Sequence, residues 1–357
     1  KDIHIILGPP STGKTALMHE VVSDAGMNPL FIDLRLCNTP MSLYYLIIEQ
    51  YKAFYDKLKA LSKGVKAVNM ASYEIQFNEL TSGVTAETAV TRLLGEISGR
   101  LLQWRWWSGM DVPPPILVID EANRFGQLGE ASPESARFVQ TFLQWMVLNT
   151  KQERKFHIIL TSSDSFFINW IRKYMNIIHF EPYVVGDLSK EDAEIFFEKH
   201  VNLLSAKSSQ GSFTAFIELQ ALACFLLNSM SINTQFKENL KITYLPITQA
   251  LMINYKPPET LKGIKKPAPA WQQGDFIKAM RFIVKNADQG FVAEMDLIRE
   301  IGARKLLSLV YYNFLHRQPT SIYTFDMVNP PNIPILTPMS QPALRVMEDL
   351  LMVKLSI

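Results

Sequence analysis

Two cysteines, Cys37 and Cys224, are all that the 357 residues contain. They lie far apart and have no metal-ligand spacing, so a thiolate metal site is excluded and both are expected to be reduced and buried, which fits a reducing compartment. No run reaches the roughly 18 apolar residues that a membrane-crossing helix needs. Neither sign of charge is in excess: 36 basic and 34 acidic residues leave a net charge of +2. That excludes a surface coated with nucleic acid, although a local basic patch remains compatible with it. No internal repeat is visible. The chain opens on Lys1, directly at an apolar run and without an initiator Met. We expect a processed or trimmed N-terminus, upstream of which a targeting peptide, anchor or further domain can lie. The expected location is intracellular, in the cytoplasm or an organelle such as the mitochondrion.

What the chain does have is apolar bulk and one organising stretch. Hydrophobic residues make up 48%, with 21 Phe, enough for two or three domains with a large core. Residues 3–7 (IHIIL) read as a buried strand, and 16–24 read as a helix. Between them stand Gly8, Pro9, Pro10, Ser11, Thr12, Gly13, Lys14 and Thr15. The spacing G-x-x-x-x-G-K-T between a strand and a helix is that of a phosphate-binding loop, against the alternative of a plain Gly/Pro turn. Gly8 and Gly13 let the backbone curl and turn its N–H groups inward, where a side chain would block a phosphate. Lys14 places a cation on the β- and γ-phosphates, the Thr15 hydroxyl suits Mg²⁺, and the helix directs its positive end at the anion. The expected nucleotide-binding residues are therefore 8–15 together with Ala16.

A second motif, ILVIDE at 116–121, buries a strand and releases two acids at its C-terminal end, where ligands bind in open α/β sheets. Asp120 is placed to hold Mg²⁺ through water, and Glu121 to orient and polarise an attacking water. The alternative for Asp120 is a turn or helix-cap aspartate. A third stretch, Thr161-Ser162-Ser163, ends the next strand. Ser162 is the expected phosphate sensor there, against the alternative that the three residues cap a helix beginning near Asp164. The expected catalytic set is Lys14, Glu121 and Ser162.

Strands are predicted at 30–34, 116–119, 156–160 and 177–180 besides the first, with helices at 41–61, 86–107, 132–150 and 164–174. This alternation implies a parallel sheet covered on both faces. From Ser189 helical sequence fills about 189–254, opened by Ser189 as N-cap. A Pro- and Lys-rich stretch, 256–269, reads as a linker. Helices at 275–286, 292–301 and 303–316, extended pieces at 322–325 and 333–337, and a last helix from about 340 follow the order of a winged helix. The expected domains are a core at 1–187, a helical lid at 188–255, a linker at 256–274 and a winged helix at 275–357.

The motifs GPPSTGKT at 8–15, ILVIDEAN at 116–123, IILTSS at 158–163 and PYVVGDLSKEDAEIFF at 182–197 resemble the additional-strand P-loop ATPases. More narrowly, they are similar to the archaeal-type branch near the AAA+ and STAND proteins. The resemblance implies an α/β P-loop NTPase core with a five-stranded parallel sheet in order 5-1-4-3-2, ATP as nucleotide, a helical lid after the last quoted stretch, and a winged helix beyond it. Two departures stand out: the lid carries no Gly-x-Pro, and no arginine is marked as the finger that completes a neighbour's site. Arg154 and Arg172 are candidates for that finger, or solvated surface charges.

Other features have two readings. Trp104, Trp106 and Trp107 form a partner or membrane-surface patch, or else Trp104 and Trp107 pack inward while Trp106 covers a loop. His19, His157 and His200 have no second ligand at metal spacing. Lys262, Lys265 and Lys266 touch phosphate backbones or merely solvate the linker. In the third helix of the expected winged helix only Arg304 and Lys305 are basic, whereas a groove-reading helix presents several polar residues. A structural or regulatory wing is expected there. The chain thus reads as a Mg²⁺-dependent ATPase whose nucleotide state moves lid and wing on protein partners, in a possible homo-oligomer. The rivals are a slow-hydrolysing STAND-like switch or scaffold and an ATP-dependent nucleic-acid remodeller.

Overall fold

The computed structural model describes residues 3–10, 12–61, 73–77, 80–107, 114–186, 268–319 and 331–354. The chain divides into two compact units, residues 1–183 and 184–357. In the first, five apolar runs form β1 (Ile3–Leu7), β2 (Asn28–Asp33), β3 (Pro115–Asp120), β4 (His157–Ser162) and β5 (Phe180–Val184). They make one five-stranded parallel sheet in the order β2-β3-β4-β1-β5, the expected order read from the other edge. All six residues of β3 are buried, so the strand shows a continuous apolar run, as a strand covered on both faces must.

Register positions the site. Ile3 stands beside Ile158 and Leu7 beside Ser162, while Asn28 stands beside Pro115 and Asp33 beside Asp120. Parallel pairing therefore gathers Leu7, Asp33, Asp120 and Ser162 at the C-terminal ends of the strands, where the loop of residues 8–13 leaves β1.

The helices form where expected, with local exceptions. α1 (Lys14–Asp24) follows the loop, and α2 (Pro40–Leu61) packs on β2. The predicted 86–107 helix is broken in two: α3 (Ala86–Arg100) and a single turn, α4 (Trp104–Trp107). Leu101 is extended at the break. The Trp104 N–H leaves the helix to donate to the Arg154 carbonyl at 2.8 Å. The break buries Trp107 at 1% exposure and leaves Trp106 56% exposed, with the Arg105 guanidinium 5.3 Å from its ring. Trp104 sits edge-on to His157 at 4.6 Å.

α5 (Arg124–Glu130) was not legible, because Gly126 and Gly129 weaken its helical signal. A Cβ would meet only ordinary contacts there, 3.6 Å from the Trp170 ring nitrogen at Gly126 and 3.5 Å from Val139 at Gly129. α6 (Pro133–Val147) is capped by Ser132, which accepts from the Ser135 N–H, and has Pro at its start. Its expected end at 150 is instead a π turn over Leu148–Gln152, where the Asn149 and Thr150 side chains donate back to the Trp145 and Met146 carbonyls.

Phe142 on α6 is buried, with ring centroids 5.2 Å from Phe125, 6.1 Å from Phe138 and 5.8 Å from Trp145. Phe142→Ala is expected to destabilise the chain by about 3–5 kcal/mol, read as a lowered urea midpoint followed by tryptophan fluorescence.

The fifth strand is corrected. Residues 177–180 were expected as strand, but Ile177–His179 is a 3-10 turn and β5 starts at Phe180. The Asn176 side chain accepts from the Ile178 N–H and closes the turn, and Ile178 is 72% exposed. Pro182 is tolerated inside β5 because that strand stands at the sheet edge. The helix expected at 164–174 contracts to α7 (Phe167–Ile171).

The second unit contains α8 (Gln273–Lys285), β6 (Val292–Ala293), α9 (Glu294–Ile301), α10 (Ala303–Tyr311), β7 (Leu315–Gln318), β8 (Ile335–Pro338) and α11 (Gln341–Lys354). β6, β8 and β7 pair antiparallel in that order. Gly302, at φ 89°, makes the turn between α9 and α10. The third predicted helix, 303–316, stops at Tyr311, and 315–318 is strand. Asn313 takes a left-handed φ of 59°, which ends the helix and lets Phe314 pack at 4.9 Å from Phe276. The extended piece at 322–325, the lid at 188–255, most of the linker with Lys262, Lys265 and Lys266, and Cys224, His200 and Ser11 lie outside the described residues. No helix among the described residues is long and apolar enough to cross a membrane.

Candidate functional site

The loop after β1 turns on Gly13, whose φ of 78° is left-handed, a conformation that favours glycine. Lys14 is buried at the start of α1, and its Nζ donates to the Gly8 carbonyl at 3.0 Å, the Pro9 carbonyl at 2.7 Å and Thr12 Oγ1 at 3.5 Å. Thr12 Oγ1 donates to the Pro9 carbonyl at 3.0 Å. The lysine thus closes the loop on itself. Burial pushes its pKa down to about 8, against the opposing pull of Glu121 and Asp120.

Thr15 Oγ1 donates to Asp120 Oδ2 at 2.8 Å, although 105 residues separate the two. Asp120 is 1% exposed. Its other oxygen, Oδ1, accepts a short hydrogen bond from Thr161 Oγ1. Arg35 Nη2 donates to Oδ2 at 3.0 Å. Three donors thus compensate a carboxylate that burial alone would disfavour.

Glu121 has a left-handed φ of 53°. Its N–H donates to Thr161 Oγ1 at 3.2 Å, and its Oε2 accepts from Ser163 Oγ at 2.8 Å. The Ser162 hydroxyl is buried, donates to Asn123 Oδ1 at 3.1 Å and accepts from the Asp164 N–H at 3.1 Å. The Asp164 contact is a local turn and not a helix cap, since α7 begins at Phe167 and has no side-chain cap. Burial pushes the Asp164 carboxyl up, the Phe166 amide opposes this, and Glu121 adds to it.

The structure brings Lys14, Thr15, Asp120 and Glu121 together at the C-terminal ends of the central strands, with Ser162 beside them on β4. Gly8, Pro9, Pro10, Thr12, Gly13 and Ala16 line the same turn by their place in the chain. Arg154 stands just before β4, at the other end of that strand, and Arg172 caps α7. A cavity of about 740 Å³, lined by Trp104, Arg105, Lys151 and Arg154 among others, opens at that far end and not at the loop. His19 stacks on Phe31 at 4.1 Å and His157 on His4 at 5.8 Å, so both pack as aromatic groups. Burial raises the Cys37 thiol to about 11, with Asp33 adding to it, which fits an inert thiol.

Sequence reasoning missed Arg35, and it chose Ser162 over Thr161 as the informative hydroxyl of its stretch. No spacing in the sequence marks Arg35; the β2–β3 register, which sets Asp33 beside Asp120, gives it its place.

β4 stands between β1 and β3, so the lysine loop and Asp120 face each other across one inserted strand. That insertion defines the additional-strand class of P-loop folds. Residues 1–212 match the model of a family described as an ATPase domain predominantly from Archaea, and the chain belongs to that family. It is 25% identical over 207 residues to an uncharacterized ATP-binding protein of Pyrococcus abyssi, a match covering 56% of this chain and 58% of the relative. The chain thus spans little more than half the length of that curated relative. Among solved structures, a Walker-type ATPase of Pyrococcus abyssi is similar at a TM-score of 0.52 and 14% identity, over 97% of this chain and 91% of that one. The ORC2 protein of Aeropyrum pernix aligns at a TM-score of 0.39 and 10% identity, over 100% of this chain and 89% of that one. The likeness to the Pyrococcus structure is one of fold.

Proposed function

We propose that the first unit binds ATP with Mg²⁺ across residues 8–16 and hydrolyses it to ADP and phosphate. The 2.8 Å contact between Thr15 Oγ1 and Asp120 Oδ2 carries this reading. It sets two hard oxygen donors side by side at the mouth of a phosphate-binding turn. Those donors suit Mg²⁺, which keeps several waters and takes its remaining ligands from phosphate. Among the described residues no group of three or more His, Cys, Asp or Glu could hold a metal ion. When bound, Mg²⁺ would offset the charge of the β- and γ-oxygens. Lys14 exchanges its loop carbonyls for phosphate oxygens, and the amides of the turn donate to the same anion. Glu121 takes the proton of the attacking water. The Ser162 hydroxyl is the proposed sensor of the terminal phosphate.

We further read 188–255 as a lid, 256–274 as a linker and 275–357 as a winged helix, moved by nucleotide state against protein partners. The helix–strand–helix–helix–strand–strand order of α8 to β8 supports the last of these. DNA reading is disfavoured because Lys305 of α10 is held by Asp275 at 2.8 Å, and Leu306, Leu309 and Val310 of that helix are buried in their own unit. Nucleic acid should therefore leave phosphate release unchanged at low salt. A stimulation that fades steeply as salt rises would establish the remodeller reading instead.

A slow-hydrolysing switch is a second reading, favoured by the hydrogen bond that ties Glu121 to Ser163. The deciding experiment measures calorimetric binding of ATP and ADP, together with phosphate release at several protein concentrations, with Lys14→Ala as control. A rate per subunit that climbs with concentration points to a site completed by a second copy. A chain that takes up no adenine nucleotide at millimolar concentration overturns the proposal.

A further inference from the structure

Arg35 lies on the 3-10 turn Leu34–Leu36, which directly follows β2. Its Nε donates to both Asp33 oxygens, at 2.9 and 3.0 Å, and its Nη2 donates to Asp33 Oδ2 at 2.8 Å. The same Nη2 reaches Asp120 Oδ2 at 3.0 Å, the oxygen that also accepts from Thr15. The two carboxylates differ in setting. The Asp120 side chain is 2% exposed, Asp33 is 22% exposed, and the Arg35 side chain between them is 48% exposed.

A buried carboxylate left without counter-charge is strongly disfavoured. The Arg35 guanidinium supplies that charge at 3.0 Å. A divalent cation at Thr15 and Asp120 supplies it too, and the two cations repel each other at one oxygen. Arg35 keeps a full fork of bonds to Asp33 when it gives up Asp120, so its withdrawal leaves neither charge unpaired.

We propose that Arg35 is a displaceable counter-cation for Asp120. It holds the carboxylate while the metal–nucleotide position is free and passes wholly to Asp33 when that position fills, so the Asp33–Arg35 pair sets the affinity for the metal. This rests on the nucleotide reading above. Arg35 acts here as a positioning residue: it adjusts Asp120 and takes no part in bond breaking.

The test is an equilibrium titration of Mn²⁺ into the whole chain saturated with ADP, followed by the loss of the free-ion paramagnetic signal. Metal-free ADP affinity serves as the reference. Arg35→Gln removes the competitor, and the metal is expected to bind on the order of tenfold tighter, the scale of one partly screened charge pair. Asp33→Asn removes the alternative partner, leaves Arg35 on Asp120 alone, and is expected to weaken the metal by a similar factor. Opposite shifts in the two variants support the proposal. Shifts in the same direction, or an unchanged metal affinity in both, overturn it while ADP binding still stands. If Arg35→Gln does not fold, Asp33→Asn must still weaken the metal, and unchanged or tighter binding there overturns the proposal by itself. A wild-type chain that takes up no ADP fails the nucleotide reading first.

Discussion

Lys14→Ala is expected to weaken ATP binding by about a hundredfold or more, because it deletes charge-assisted contacts each worth about 1.5–3 kcal/mol. A less obvious result should accompany it: Lys14→Met raises the melting temperature of the ligand-free chain. In the folded protein the ammonium is buried, and its pKa is depressed from 10.5 to about 8. A depressed cation is a burden on the fold. Below pH 8 the lysine is charged in both folded and unfolded chains, and the burden is complete. Between pH 8 and 10.5 the unfolded chain holds more protons than the folded one, so stability gains from this group as pH rises through that window. Lys14→Met should remove that pH dependence along with the burden, at about 2–4 °C for each kcal/mol relieved. Polyphosphate acts in the opposite sense. An anion beside Nζ restores the charged form, so above pH 8 ATP binding should take up a proton, and affinity should fall as pH rises. Thermal scans and calorimetry in two buffers of different ionisation enthalpy check both signs. A flat affinity from pH 7 to 9.5 would count against Lys14 as the phosphate ligand.

The parts of this architecture that were legible in the sequence are those written in contiguous spacing. Gly8 to Thr15 announces its turn because every residue of that turn sits in one octapeptide. Asp120 is announced by the apolar run before it, since a strand buried on both faces can release a charge only at its end. The parts that were not legible depend on pairing between distant segments. Asp33 looked like an ordinary strand-terminal acid until the β2–β3 register set it beside Asp120, and that register also gives Arg35 its task. Thr161 and Ser162 differ by one residue and therefore point to opposite faces of β4. Only the pairing shows that Thr161 reaches Asp120 while Ser162 turns to Asn123.

Secondary structure failed for similar reasons. The 86–107 periodicity carries on through Leu101, and what breaks the helix is a tertiary hydrogen bond from Trp104 to the Arg154 carbonyl. α5 is hard to read because Gly126 and Gly129 weaken its helical signal, while Phe125 and Leu128, which it buries, are too few to set a period. The Ile177 and Ile178 pair resembled a buried strand, yet both side chains are exposed. Asn176, which closes the turn over them, is a weaker sequence signal than two isoleucines.

Glu121→Gln is expected to lower phosphate release about a hundredfold or more while leaving ATP affinity near that of the wild type, because a glutamine keeps the shape of the side chain but cannot accept the proton of water. The surroundings of Glu121 make a second variant informative. Its left-handed φ of 53° is an uncommon setting for a non-glycine residue, held in place by the backbone bond to Thr161 and the side-chain bond from Ser163. Ser163 donates to one carboxylate oxygen and thereby both occupies an acceptor that a water could use and fixes its direction. Those two effects oppose each other in catalysis. Ser163→Ala is expected to raise turnover several-fold, since it returns a full acceptor to the water while Thr161 still holds the backbone. A fall to the level of Glu121→Gln would mean that the serine presents the base, and the slow-switch reading would lose its support. A rise that vanishes in the Ser163→Ala/Glu121→Gln double variant would place the restraint on this one carboxylate, because two residues acting through a single hydrogen bond cannot be additive.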